Sequence, residues 1–192
     1  MATIDFTQAN GPLSAPFAGT KGGIHSVTSN QVVGASGAER GSILTGITHA
    51  SNQGARVQLT STTASRGAGI LLRGSDSGSG YTGYLCFFGF TASWSISEYL
   101  NGVQVGSDLN SGTGGAGGSD FLSGEFIRAD MTGSNIVLQH KDVTFGASAS
   151  DSTITTGTVG IYTYSDQSLD NLTTYGDGSA PANPNLSVCI LI

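Results

Sequence analysis

The chain has 192 residues and is poor in charge, cysteine and proline. Charged side chains make up 10% of it, well below the roughly 25% of an average globular domain. The seven basic residues are scattered (Lys21, Arg40, Arg56, Arg66, Arg73, Arg128, Lys141) and the net charge is −6. No basic stripe results, which argues against a nucleic-acid partner. The two cysteines, Cys86 and Cys189, each sit in an apolar run and read as small core hydrophobes, not as a disulfide framework. No stretch approaches the ~20 apolar residues of a membrane-spanning helix, so no membrane partner is expected. The opening residues, MATIDFTQANGPLS, have neither a basic start nor a long apolar run. The expectation is therefore synthesis in the cytosol without a secretory leader.

What is abundant is glycine, 30 residues of it, with much of the remainder Ser and Thr. This composition favours short strands and tight turns over long helices. From Gly124 to Ser179 apolar and polar residues alternate, break at Gly, Ser and Asp, and alternate again. That period of two predicts an all-β fold, an antiparallel β-sandwich in which every second side chain enters a shared core. Tyr84–Phe90 (YLCFFGF) is apolar on both faces and predicts a central strand covered on both sides. Ser93–Leu100 places Trp94 and Ile96 on one face, and Asn101–Gly102 after it is a strong hairpin signal. Thr132–Gly133–Ser134 joins a second expected hairpin. Asn110–Ser119 reads as a mobile Gly/Ser loop, and Ser148–Thr156 is the one place where a short helical turn is expected. The organisation expected is a single sandwich domain over residues 1–178, then a linker and an apolar strand over 179–192.

Four segments, WSISEYLNGVQVG, GEFIRADMTGSNIVLQH, TTGTVGIYTY and SLDNLTTYGDG, together resemble the concanavalin A-like lectin/glucanase group in its laminin-G-like jelly-roll branch. The resemblance implies a jelly roll of two packed, curved sheets with one concave face. It does not imply one function, since this fold hosts lectins, hydrolases, adhesion modules and virion proteins. The opening MATIDFT, followed by a polar Gly-rich loop, is similar to the start of bacteriophage structural proteins carrying this fold. In the glucanase branch the catalytic carboxylates lie two and four residues apart on one strand face. No such E-x-D-x-x-E pattern occurs here. Glu98, Glu125 and Asp130 fall on separate segments and read as solvated surface groups. His25, His49 and His140 lack metal-ligand spacing, and there is no nucleophile-elbow motif. The chain is thus expected not to be an enzyme.

Three groups of candidate site residues follow. Trp94, Tyr81, Tyr84, Tyr99, Tyr162 and Tyr164 are the aromatic residues on which a sugar could stack, with Tyr81, Trp94, Tyr162 and Tyr164 foremost and Tyr162 and Tyr164 on one strand face; the alternative for most is packing. No cofactor is required, but calcium is the ion the chemistry allows. Asp170 and Asn171 match the family's closing Asp-Asn pair, and Asp5 could join them from the first strand. Their alternative role is to hydrogen-bond backbone and lock the last strand. The terminal run NLSVCILI ends without a charged side chain. Exposing it would forfeit about 1.5–3 kcal/mol per large residue. Val188, Ile190, Leu191 and Ile192 should therefore be buried, in their own sandwich or against a partner by strand addition.

Low charge, no leader and the apolar terminus together favour a non-enzymatic structural protein of a phage virion. It would be a capsid decoration, fibre or tail component, an oligomer assembled in the host cytoplasm through contacts with itself or other virion proteins. A carbohydrate-binding or adhesion module, with a glycan as partner, is the alternative, and a glycan hydrolase the third and disfavoured reading.

Overall fold

Alternation of apolar and polar side chains closes the chain into two antiparallel sheets packed face to face. The computed structural model describes residues 2–4, 6, 8, 10–13, 17–19, 22–45, 49, 51–61, 67–89 and 91–176. The strands of the first half are β1 (Ala2–Ile4), β2 (Gly11–Pro12), β3 (Phe17–Gly19), β4 (Ser26–Thr28), β5 (Gln31–Val33), β6 (Glu39–Leu44), β7 (Gln53–Leu59) and β8 (Gly67–Asp76). Those of the second half are β9 (Tyr81–Gly89), β10 (Ser93–Leu100), β11 (Val103–Gln104), β12 (Asn110–Thr113), β13 (Phe126–Thr132), β14 (Asn135–His140), β15 (Val143–Ser150), β16 (Thr158–Tyr164) and β17 (Ser168–Gly176). One sheet, here the back sheet, has the order β15-β14-β13-β7-β17-β5-β4-β2, with β1 also on β17. The front sheet has the order β11-β10-β9-β8-β16-β6-β3, with β12 also on β10.

The core lies between them. The back sheet contributes Val57, Leu59, Ile127, Met131, Ile136, Leu138, Leu169 and Leu172, and the front sheet Ile70, Leu72, Tyr84, Cys86, Phe88, Ile96, Val159 and Ile161. Along each strand these residues fall at even spacings, as a pleated backbone requires, except on β17, where a bulge between Asp170 and Thr173 puts Leu169 and Leu172 three apart. At about 25 cal/mol per Å² of apolar surface removed from water, burial of this layer is the main force holding the sheets together. Cys86 is buried in it as a free thiol.

The hairpins form where the turn residues predict them. Leu100 pairs with Val103 around Asn101 and Gly102, whose φ angles of 52° and 77° make a type I′ turn. Thr132 pairs with Asn135 around Gly133–Ser134. Other expectations are corrected. Asn110–Thr113 is not loop but strand β12, paired to β10 from Ser93 to Ile96, and the short 3-10 turn Ala116–Gly118 follows it. Residues Val143–Ser150 form β15 against β14, and 151–157 are irregular, so the helical turn expected at Ser148–Thr156 does not form. Gly146, at a φ of 85°, interrupts the alternation there and hides the strand from a reading of period two. The linker and the apolar terminus, with Val188, Ile190, Leu191 and Ile192, lie outside the described residues.

One polar network is sealed inside. His25, fully buried, shares hydrogen bonds with Ser42 of β6 (Nδ1, 2.7 Å) and Thr163 of β16 (Nε2, 3.0 Å). Burial first, then Arg40, pushes the imidazole down to about 3 from the usual 6.5. The folded ring is therefore neutral where an unfolded one takes a proton, so the stability it contributes is complete above its unfolded value and is lost as pH falls toward 3. His49 is shifted in the same direction by burial. Denaturant melts should show the protein weaker at pH 5 than at pH 7, with about 2 kcal/mol of the difference due to His25. His25→Gln should flatten that slope whatever it does to stability at pH 7, and an unchanged slope would show the ring is not held neutral.

Candidate functional site

The side of the front sheet facing away from the core is not the polar surface that a sandwich usually presents. Its register builds an aromatic floor on glycines. Tyr162 of β16 lies opposite Gly41 of β6 and Gly69 of β8, and Tyr164 lies opposite Gly67. Phe87 of β9 lies opposite Gly69 and Ser95, and Tyr99 of β10 opposite Gly83. Large rings in neighbouring strands need glycines opposite them for room to pack on one another. A Cβ built on Gly67 would sit 2.1 Å from Cζ of Phe87, and one on Gly69 2.7 Å from Cδ1 of Leu85. Tyr81, Tyr99, Tyr162 and Phe87 form a contiguous cluster, with ring centroids 5.0 Å apart for Tyr81–Tyr99, 6.3 Å for Tyr81–Tyr162 and 6.1 Å for Phe87–Tyr162. Ile43, Leu71 and Leu85 complete it.

Over this floor runs a groove in two hollows. The first, about 280 Å³, is lined by Phe87, Tyr99, Tyr162 and Tyr164, with Ser95, Ser97, Gln104, Asp108 and Glu39 among its polar walls. The second, about 470 Å³, lies toward β12 and is lined by Ser93, Trp94, Ser111 and Thr113. Phe87, Ser95 and Asp108 line both, so the two are continuous. Each approaches or falls within the range of roughly 300–1,000 Å³ typical of ligand sites. Asp108 is held in place by the Ser97 hydroxyl (2.6 Å) and by Nε2 of Gln104 (2.9 Å), both donating to Oδ1. Burial, then Glu39, pushes the Tyr162 phenol far up, so it keeps its proton and can donate at any physiological pH. The groove thus offers flat apolar faces, neutral donors and carboxylate acceptors.

Two acidic groups share this groove, but their placement does not suit bond cleavage. Glu39 is on β6, whereas Asp108 is tied to β10, four strands away across the sheet. At about 4.8 Å per strand that is about 19 Å along the sheet, against the roughly 5–10 Å between the carboxylates of glycosidases.

Of the four foremost aromatic candidates, the structure brings Tyr81, Tyr162 and Tyr164 to this one face in three different depths. Tyr81 is fully buried beneath the cluster, Tyr162 forms the floor, and Tyr164 stands at the rim, 41% exposed. Trp94 belongs to the other face. It is 8% exposed, packs edge-on to Phe145 and covers Gly112, and only borders the second hollow from the sandwich edge. On the outer side of the strand Tyr84–Phe90, Leu85 and Phe87 belong to the aromatic floor, and among the described residues no further layer covers them. Phe87, Glu39 and Asp108 were not singled out in sequence, whereas Tyr99, one of the wider set of aromatic candidates, does line the first hollow. The glycines two apart in Gly67–Gly69, opposite an aromatic strand, were the available signal.

The other candidates have local partners. Asp170 accepts from the Asn171 backbone N–H (2.8 Å), and the Asn171 amide donates to Gln58 (2.7 Å) at a bulge in β17 where Asn171 has a φ of 51°. These bonds tie the pair to each other and to Gln58 of β7. β1 does pair with β17, Ile4 opposite Leu172, but Asp5 itself lies outside the described residues. Among the described residues no three His, Cys, Asp or Glu side chains gather as a metal-binding group. The surface carboxylates expected in sequence are not free. Glu98 is turned inward beside Tyr84 and only 5% exposed, and burial, then Asp151, pushes its carboxyl up. Glu125 pairs with buried His140 (2.7 Å) and with Lys141 (2.6 Å). Asp130 accepts from Tyr175, Arg128 and Gln139.

No family model and no curated protein matches the chain. Solved structures do. The carbohydrate-binding module CBM66 from Bacillus subtilis aligns with a TM-score of 0.61 over 92% of this chain and 96% of its own, at 11% identity. The exoplasmic/lumenal domain of VIP36 in its Ca²⁺-bound form aligns with 0.63 over 90% and 89%, at 11% identity. The potassium-bound carbohydrate recognition domain of Emp46p aligns with 0.60 over 86% and 90%, at 9% identity. Identity this low shows a shared fold: the chain is a lectin-like antiparallel β-sandwich of the concanavalin A-like kind.

The three depths of the aromatic face predict different costs. Tyr81→Ala should destabilise the protein by about 3 kcal/mol in urea melts, as for a buried ring elsewhere. Tyr164→Ala should stay within about 0.5 kcal/mol of the parent. Equal costs would mean that the face is uniformly packed and offers no open rim.

Proposed function

We propose that the chain is a non-catalytic carbohydrate-binding module whose ligand lies in the groove on the outer face of the front sheet. The observation that carries this reading is the groove itself: a cluster of aromatic rings on the glycine-bearing outer face, ringed by Ser95, Ser97, Gln104, Asp108 and Glu39. A sugar ring has an apolar C–H face, which packs on an aromatic ring, and a rim of hydroxyls, which both donate and accept. The groove is matched to both. The structural neighbours support the reading, since those named above are a carbohydrate-binding module, a carbohydrate recognition domain and a domain also solved in Man-bound and Man2-bound forms. The separation of Glu39 from Asp108 supports a binding role over hydrolysis.

The virion role favoured by composition becomes the second reading, because the neighbours give it no support. One observation still favours an assembly. The β10–β11 hairpin exposes Leu100, Val103 (68%) and Val105 on one face, an apolar tip of the kind that seats against a partner. The two readings are compatible, since a virion protein can carry a glycan site.

Affinity electrophoresis through polysaccharide gels separates the readings. Tyr99→Ala should weaken retardation at least tenfold, the equivalent of about 1.4 kcal/mol, while leaving the β signal in circular dichroism intact. A parent protein that no polysaccharide retards, yet sediments as a concentration-dependent oligomer, would replace the glycan reading with the assembly one.

A further inference from the structure

The groove has a chemical bias and a direction, and together they narrow its ligand. This step rests on the glycan-binding reading above. Among the described residues that line the two hollows there is no Lys, Arg or His, while Glu39 stands at one end and Asp108 where the hollows meet. Asp108 cannot be bypassed, because it borders both halves. Its hydrogen bonds come from Ser97 and Gln104, which carry no positive charge to offset it. The whole chain adds a net −6. A carboxylate or sulfate on a sugar would meet like charge at the centre of the groove, and approach through a negative field, with no cation among the described lining residues to receive it.

The direction follows from the strand order. The lining residues come from β6, β16, β9, β10 and β12, so the groove runs across the strands. From β6 to β12 is five strand spacings, about 24 Å at ~4.8 Å each. That is several sugar rings end to end. The floor is open along this line rather than closed at one end by a wall of described residues, with Tyr164 exposed at one side and Ser111 and Thr113 at the other. Successive rings of a chain can be met by Tyr162, Phe87 and Tyr99 in turn, from β16 through β9 to β10.

We infer that the groove selects an extended run of uncharged sugars, laid across the strands, and rejects glycans bearing carboxylate or sulfate, with Asp108 and Glu39 as the residues that set this specificity. Calorimetric titration of the full chain tests it. The probes are neutral gluco-, manno- and fructo-oligosaccharide ladders from monomer to hexamer, beside oligogalacturonate and oligoalginate of matched length. The expected result is binding of at least one neutral ladder that tightens stepwise with length, and acidic oligomers at least tenfold weaker. High salt should narrow that gap in the parent, and so should Glu39→Gln with Asp108→Asn, in which both amides can still accept the native hydrogen bonds. The salt series on the parent keeps the charge test alive should the double variant fail to fold. Acidic oligomers binding as tightly as neutral ones, or a monomer binding as tightly as a hexamer, would overturn the inference while leaving the glycan reading in place. Failure of every ladder, neutral and acidic, would overturn both.

Discussion

Rings laid over glycines on the outer face of the front sheet are the contact on which the functional architecture depends. A sandwich needs only one apolar face per sheet. Here strands β8, β9 and β16 carry a second one, and it is stable in contact with water because Tyr81, Tyr99, Tyr162 and Phe87 pack on one another and Phe87 covers the bare backbone of Gly67. Remove the glycines and the rings must stand up: Gly67 admits no Cβ without moving Phe87. Fold and groove are thus consequences of one register. The pairing that sends Ile161, Ile70 and Cys86 inward sends Tyr162, Gly69 and Phe87 outward.

That register also explains which parts were legible in the sequence. Features set by neighbours along the chain were readable: the inward pair Trp94 and Ile96, the Asn101–Gly102 turn, and the shared face of Tyr162 and Tyr164. Features set by partners far along the chain were not. Glu39 reaches the groove because β6 pairs with β16, more than a hundred residues later, and Asp108 because a hairpin folds it onto Ser97. Neither has a local signature. Glu98 and Asp130 look alike in sequence, yet one faces the sandwich interior and the other joins Arg128 and Tyr175 on the back sheet, since only pairing decides which side of a pleat faces in. Low charge was read as a mark of assembly. The structure offers a second cause: an apolar, aromatic outer face displaces the charged residues that would ordinarily occupy those positions.

The back sheet supplies the contrast. Its outer face is polar and satisfied within itself, with Arg56 over the Phe126 ring and paired to Asp142 at 2.7 Å, and Arg128, Gln139 and Tyr175 converging on Asp130. Groups so engaged have little left for a ligand. On the front sheet Ser95, Gln104, Asp108 and Glu39 line a hollow over the aromatic floor, where a sugar can reach them. The difference between the two faces, more than the fold they share, is what assigns a function to one of them.

The most direct measurement of that assignment is the change in backbone amide NMR signals as a neutral oligosaccharide is added to the isotope-labelled chain. The account predicts shifts concentrated on Phe87, Ser95, Tyr99, Asp108 and Tyr162, with the amides around Asp130 and Tyr175 unmoved. Shifts centred on the back sheet, or on the pair Asp170 and Asn171, would contradict it.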